Sequence, residues 1–543
     1  MSNIDTLIRG AKVIDGTGNP WKYGDVLISG DKILDIAAPG STPVENAANV
    51  IEADGMIVCP GFIDIQSHSI VPLMRDGRCV SKITQGVTTE IMGEGWTPAP
   101  AGGRFVDPMS GRLLADGDVG QWAEVAPGWT RFRHWLEAME EFGVSPNVGS
   151  YLAGGTLRQY ARGMDMGESN EEELDVMRKV MAEAMEDGAF GVTYALIYPP
   201  DNFVSTDEIV EVCKVVAQYN GTYITHMRSE SDKILDGLAE TIEIGDRSGA
   251  AVEVYHLKAS GQSCWHLMPE VIQRITDARA RGLDITSDMY PYVASGTGFA
   301  SILPTWVAEG GKFYENLADE SIRERIRQEL TDPNSDYDGQ ARSAGIENIM
   351  PVGFRLPEHQ QYIGKRLNEI AEMRGEHWVE TVMDLLLAEK QRISTIYFKM
   401  SEENVRLQLQ QPWIKVSSDA GGVDPEWAEA EGPTHPRGYG TFTRVLGKYV
   451  REEGILSWEE AIRKSTSSVA DRLSITDRGT LRAGMMADVV IFDPETVTDN
   501  ATFEDPHKLS TGIEHVFVNG TAVVTGGIHT GATPGRFVKG PGA

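Results

Sequence analysis

Three polar residues stand where short apolar runs end: His226 after Tyr223-Ile224-Thr225, His256 after Val252-Glu253-Val254-Tyr255, and Asp288 after Ile285-Thr286-Ser287. Thirty residues separate the first pair and thirty-two the second, and Asp64 to Glu94 is again thirty. The intervals carry helical patterns, over 206–219, 234–244 and 271–280, the first stopped by Gly221. A barrel of about 250 residues divided into eight βα units repeats every ~31 residues, so this spacing predicts a (β/α)8 barrel around a parallel sheet. Such barrels carry their chemistry at the C-terminal ends of the strands, where these residues stand.

The same spacing locates insertions. Glu94 to His226 is about forty residues longer than three units, and Asp288 to Asp419 about a hundred longer than one. The first excess is expected within 100–135 and the second within 295–400. An insertion after a barrel strand borders the mouth, so the second is a candidate lid or a surface and oligomer-contact subdomain. Outside the barrel the texture is β-rich: Lys12-Val13-Ile14 before Asp15-Gly16, Asp25-Val26-Leu27-Ile28 before Gly30, and His515-Val516-Phe517-Val518 closed by Asn519-Gly520. The first sixty residues read as a small antiparallel sheet, and Asn-Gly is a strong hairpin signal.

A formal charge of −31 repels phosphate backbones and anionic lipid. Nucleic acid and membrane surfaces are therefore poor partners, and a small molecule fits better. No run approaches the ~18 apolar residues of a membrane span, and Met1-Ser2-Asn3-Ile4-Asp5 lacks the basic and apolar segments of a leader, so a cytoplasmic location is expected. Cys59, Cys79, Cys213 and Cys264 are scattered and are read as buried, reduced thiols.

Alternation along one strand would turn Asp64, Gln66 and His68 to the same side. A lone strand-end histidine is more often structural than a ligand, but here others recur at later strand ends. Glu94, His226 and His256 are donors of the kind zinc accepts, and three protein ligands with an open position describe a catalytic zinc site. Asp419, ending Val416-Ser417-Ser418, adds a carboxylate able to take a proton as activated water attacks an amide. Lys258 lies two residues beyond His256 and so on the same side. Arg437 follows His435-Pro436 in a glycine-rich loop, and its fork suits a carboxylate.

Further segments are Pro60-Gly61-Phe62-Ile63-Asp64, Gln85-Gly86-Val87-Thr88-Thr89, Leu196-Ile197-Tyr198-Pro199-Pro200, Thr225-His226-Met227-Arg228, Tyr290-Pro291-Tyr292 and His435-Pro436-Arg437. In them the chain resembles the D-aminoacylase (N-acyl-D-amino-acid deacylase) family of the amidohydrolase superfamily along nearly its whole length. The resemblance implies a metal-dependent (β/α)8 barrel over 59–475 and a small β-sandwich built from 1–58 and 476–543. It implies that His226 and His256 hold zinc and that Asp419 is the catalytic base. It also implies that Lys258, Arg437 and Tyr290 grip a substrate carboxylate, while Tyr198 lines the pocket or helps polarise the scissile carbonyl.

Two departures from the family pattern matter. The usual His-x-His reads Gln66-Ser67-His68, and the usual cysteine is replaced in Met92-Gly93-Glu94-Gly95-Trp96. Glutamine is a poor zinc ligand, so one ion is expected at Glu94, His226 and His256, with a weak or empty second site near His68 and Asp419. The expected activity is zinc-dependent deacylation of N-acyl-D-amino acids or related carboxylate-bearing amides. Two alternatives are a cyclic amidohydrolase of the hydantoinase or dihydropyrimidinase kind, which normally carries a lysine at the end of strand four, and a metal-free scaffold. Assembly into a homo-oligomer could use the long insertion.

Overall fold

The computed structural model describes residues 4–110, 120–335 and 337–543. Residues 111–119, inside the first expected insertion, lie outside the described residues, as do 1–3, on which the reading of the N-terminus partly rests.

Five strands open the chain: β1 (Ile4–Val13), β2 (Lys22–Ser29), β3 (Lys32–Ala37), β4 (Ala47–Glu52) and β5 (Ile57–Pro60). β1, β2 and β3 pair antiparallel, but β4 and β5 run parallel to β1, which corrects the wholly antiparallel reading of this end. The chain returns from β3 through the turn at Val44–Asn46 and re-enters in the direction of β1, a non-local pairing that alternation within a strand does not encode.

The barrel follows as β6 (Phe62–Asp64), β7 (Val87–Met92), β8 (Asn147–Ser150) extended past Tyr151 by β9 (Leu152–Ala153), β10 (Gly191–Ala195), β11 (Thr222–His226), β12 (Ala251–Val254) and β13 (Ile285–Met289). Three strands, β14 (Ser295–Gly298), β15 (Ile349–Pro351) and β16 (Ser394–Tyr397), intervene before the eighth stave, β17 (Ile414–Val416). The staves pair parallel as β6-β7-β8 and β9-β10-β11-β12-β13-β17, and the ring closes through a parallel bridge between Ser67 and Ala420. Val192, Ile224, Val252, Ile285 and Val416 are all buried, as expected of parallel strands covered on both faces. Helices between the staves start at proper caps: Ser205 accepts from the Glu208 amide, and Asn170 forms a capping box with Glu173.

The chain ends with β18 (Val489–Phe492), β19 (Ile513–Val518), β20 (Thr521–Thr525) and β21 (Ile528–His529). β18 pairs with β5, so both chain ends share one nine-stranded sheet. The β19–β20 hairpin turns at Asn519 and Gly520, whose φ values of 48° and 77° give the two positive dihedrals of a type I′ turn.

Residues between β13 and β17 form their own three-stranded antiparallel sheet, ordered β14-β16-β15, over an apolar core that includes Phe299, Ile302, Leu367, Val382 and Leu386. This unit meets the barrel rim through polar contacts. Tyr198 Oη lies 2.5 Å from Thr297 Oγ1, Asn202 Nδ2 donates to Thr305 Oγ1 at 2.7 Å, and Ser229 Oγ donates to Asp338 Oδ2 at 2.5 Å. Among the described residues no helix is long and apolar enough to cross a membrane.

The closing edge of the barrel hides one ammonium. Lys82 Nζ lies 2.5 Å from Asp64 Oδ2, 2.6 Å from Ser418 Oγ and 3.3 Å from Glu90 Oε1, and the Lys82, Asp64 and Glu90 side chains are fully buried. It ties together the first, second and eighth staves just below the mouth. Removing one member of a buried ion group leaves the others uncompensated, at a cost of about 3–5 kcal/mol. Lys82→Met is therefore expected to lower the unfolding free energy by about that much in urea titration. An unchanged midpoint would show that the network contributes nothing to closure.

Candidate active site

Each proposed donor stands where its strand stops. His226 is the last residue of β11, and His256 lies two residues beyond β12. His256 and Asp419 adopt positive φ, 32° and 51°, a region that non-glycine residues enter at a cost and that is common at functional sites. Glu94 follows β7 between two glycines with positive φ. At Gly93 (φ 123°) a Cβ would lie 2.5 Å from the Tyr151 carbonyl oxygen, so only glycine lets the turn pass the third stave.

Glu94 occupies the centre. Its Oε1 lies 3.3 Å from His226 Nδ1 and 3.5 Å from His256 Nε2, while Oε2 lies 3.3 Å from His68 Nε2. A tetrahedral zinc ion with bonds of about 2.1 Å sets its donors ~3.4 Å apart; the two distances from Glu94 Oε1 match that spacing, and the Glu94, His226 and His256 ligand atoms all lie within 4.8 Å of one another. His68, Glu94 and Asp419 form a second group of the same kind, with His68 Nε2 2.9 Å from Asp419 Oδ1.

Gln66 stands between the two carboxylates of that second group. Its Nε2 donates to Glu94 Oε2 at 2.5 Å and to Asp419 Oδ1 at 3.3 Å, and its Oε1 is buried without a partner. In this orientation the amide presents its nitrogen, which carries donors only, to the second site.

Burial opposes ionisation of Asp419, but Arg437, His256 and His68 outweigh it and hold the carboxyl below its usual range. Arg437 Nη1 lies 2.6 Å from Asp419 Oδ2 and Nη2 donates to the Gly296 carbonyl at 2.9 Å, while Nε is buried without a partner. The guanidinium sits 4.7 Å from the centre of the Tyr290 ring. Burial pushes the hydroxyls of Tyr290 and Tyr198 up, keeping both protonated.

Desolvation also works against charging the histidines, and Lys258 adds to it at His256. Glu230 and Asp419 nevertheless raise His256 to about 10, and Asp419 and Glu94 raise His68 to about 9. Below those values the imidazoles hold protons that must leave when their nitrogens become ligands. Zinc titrated into metal-free protein at neutral pH is therefore expected to release protons, and its affinity to climb as pH rises toward 10. Calorimetry in buffers of different ionisation enthalpy measures this directly, and buffer-independent heats would contradict it.

Of the residues expected to grip a carboxylate, Arg437 and Tyr290 face the Asp419 side. Lys258 instead turns onto Glu230, with Nζ 2.6 Å from Glu230 Oε1 and 3.0 Å from the His256 carbonyl oxygen, and lies 5.8 Å from the Tyr290 ring centre. Tyr198 packs edge-on to the His226 ring at 5.7 Å. Asp288 accepts from the His256 amide at 2.9 Å and from Ser417 Oγ at 2.6 Å, so it braces the turn after β12.

Glu230, unremarked in the sequence, gathers the far side of the cluster: its Oε2 lies 3.4 Å from His226 Nε2 and its Oε1 3.0 Å from His256 Nδ1. Burial raises its carboxyl, but His226, Lys258 and His256 bring it well below the usual range. It sits in the loop Ser229-Glu230-Ser231, away from any strand end, and the one signal available was its place four residues after a candidate ligand.

A model described as Amidohydrolase family matches residues 344–524. The D-aminoacylase of Alcaligenes xylosoxydans xylosoxydans is 33% identical over 98% of this chain and 97% of its own length. A solved D-aminoacylase, described by a binuclear metal centre with one-metal activation and second-metal attenuation, aligns with a TM-score of 0.81 at 30% identity, covering 99% of this chain and 100% of the other. The N-acyl-D-glutamate deacylase of Bordetella bronchiseptica, solved with zinc and a phosphonate mimic of the tetrahedral intermediate, aligns at 0.80 and 28% identity, covering 99% and 100%.

Proposed function

Because this chain belongs to the D-aminoacylase family of amidohydrolases, we propose that it removes the acyl group from N-acyl-D-amino acids or closely related carboxylate-bearing amides, with one zinc ion held by Glu94, His226 and His256. The observation that carries this reading is the convergence of those three donors within 4.8 Å of one another, with an ionised Asp419 beside them. When bound there, zinc would supply Lewis acidity, lowering the pKa of water to about 7 and polarising a carbonyl.

The chain's own residues do the rest. Asp419 takes the proton from the attacking water as its oxygen bonds to the acyl carbon. It then delivers that proton to the nitrogen as the C–N bond breaks, releasing a carboxylic acid and a D-amino acid. Arg437 keeps Asp419 ionised and oriented. Tyr198 and Tyr290, both protonated, are donors for the scissile carbonyl and the substrate carboxylate. The free Nε of Arg437 supplies the positive charge that recognises that carboxylate, while the Lys258 ammonium, expected from the family resemblance to share that task, is held by Glu230.

Gln66 favours a single tightly held ion, with the group of His68, Glu94 and Asp419 weak or empty. The lysine expected of a cyclic amidohydrolase has no counterpart in β10, which reads Gly-Val-Thr-Tyr-Ala. The convergence of Glu94, His226 and His256 weighs against a metal-free scaffold. All four cysteines are buried and unpaired, in line with a reducing cytoplasm.

Elemental analysis of the purified protein tests the metal part. About one zinc per chain, with activity lost to a chelator and restored by zinc, is the expected result. Absence of metal, with no turnover after zinc is added, would favour the scaffold.

A further inference from the structure

Building on the zinc reading, we propose that Glu230 is a positioning residue that fixes the metal-competent tautomer of both histidine ligands. Its carboxylate lies 3.4 Å from His226 Nε2, a buried nitrogen with no hydrogen-bond partner, and 3.0 Å from His256 Nδ1; these are the two ring nitrogens turned away from Glu94. The opposite atoms, His226 Nδ1 and His256 Nε2, lie 3.3 and 3.5 Å from Glu94 Oε1. A neutral imidazole carries one N–H, and an ionised carboxylate only accepts. Without metal, Glu94 Oε1 also faces His226 Nδ1 within hydrogen-bond distance; once that nitrogen is a ligand, Glu230 is the carboxylate left to take each remaining N–H, on the nitrogen it faces. One carboxylate thus sets opposite tautomers on two neighbouring rings.

The arrangement also contains a competitor. Lys258 Nζ lies 2.7 Å from the same His256 Nδ1. An ammonium only donates, so Lys258 favours the lone pair on Nδ1 and the proton on Nε2, the form that cannot bind metal through the atom facing Glu94. Glu230 engages Lys258 at 2.6 Å and competes for that nitrogen. Its side chain is 8% exposed, so water does not readily replace it as acceptor.

Loss of an outer partner of a ligand histidine costs roughly 10- to 100-fold in metal affinity. Zinc affinity is read by competition with a chromophoric chelator, without substrate, in wild-type protein, Glu230→Gln, Lys258→Met and the double variant. The proposal expects Glu230→Gln to weaken zinc by that factor and Lys258→Met to leave affinity unchanged or tighter. The double variant should stay weak, because His226 still lacks its carboxylate. Wild-type affinity in the double variant would mean that Glu230 merely neutralises Lys258, and wild-type affinity in Glu230→Gln would remove any role in the site. Both outcomes overturn the proposal while leaving the functional reading intact. Wild-type protein that takes up no zinc sinks both. Should the isosteric Gln variant fail to fold by circular dichroism, Glu230→Asp keeps the charge one methylene short, and it must show weakened zinc in a folded barrel for the proposal to stand.

Discussion

Asp419→Asn is expected to lower turnover by roughly a hundred- to ten-thousandfold, the range over which a positioned general base acts, while zinc content stays near one ion per chain. The two effects separate because Asp419 lies outside the Glu94, His226 and His256 group. Asparagine keeps the shape and can still meet His68, but it cannot take a proton from water. It also leaves the Arg437 guanidinium, 2.6 Å away and buried, without its counter-charge. A stability loss on the order of 3 kcal/mol should accompany the change. Activity is therefore compared well below the unfolding midpoint. Full activity in the asparagine protein would remove Asp419 as the base.

His226→Ala is expected to lose metal and turnover together. Removing a partner behind a ligand already costs roughly 10- to 100-fold in affinity, so deleting the ligand itself should exceed that and leave the purified protein largely metal-free. The cavity is bounded by Glu94, Glu230 and the His256 ring, whose centroid lies 4.4 Å from that of His226. Free imidazole added with zinc should enter it and restore part of both properties. Retention of one zinc per chain with normal turnover would show that the ion sits elsewhere.

How far the sequence anticipated this arrangement depended on which physical rule placed each residue. Parallel strands buried on both faces read as apolar runs, and a polar residue ending such a run marks the mouth. That rule found His226 as the last residue of β11 and Asp288 within β13, and it brought His256 within two residues of the end of β12. The thirty-residue spacing also recovered Glu94, which carries no strand signal of its own.

Residues positioned by loops and long-range pairing left no such trace. Glu230 acts from a loop. Lys82 lies on a four-residue helix, Val80–Ile83, in which every side chain is buried, and nothing local distinguishes it from a solvated lysine. The same-side argument put Lys258 correctly beside His256, but no spacing rule foretold that its ammonium would turn onto a carboxylate from the neighbouring loop. The parallel pairing of β4 and β5 with β1 depended on the path of the connections. The contact of Tyr198 with Thr297 joins residues ninety-nine positions apart and became visible only once the insertion was seen against the rim.

The central claim is selective hydrolysis of an acylated D-amino acid, and the most direct test is product release from matched N-acetyl-D- and N-acetyl-L-amino acids by zinc-loaded protein, with the corresponding D-amino-acid carboxamides as a third set. The account predicts release of free amino acid from the D-acids, little from the L-acids, and a marked loss when the carboxylate becomes a carboxamide. Equal rates on D- and L-acids, or on acids and carboxamides, would contradict it.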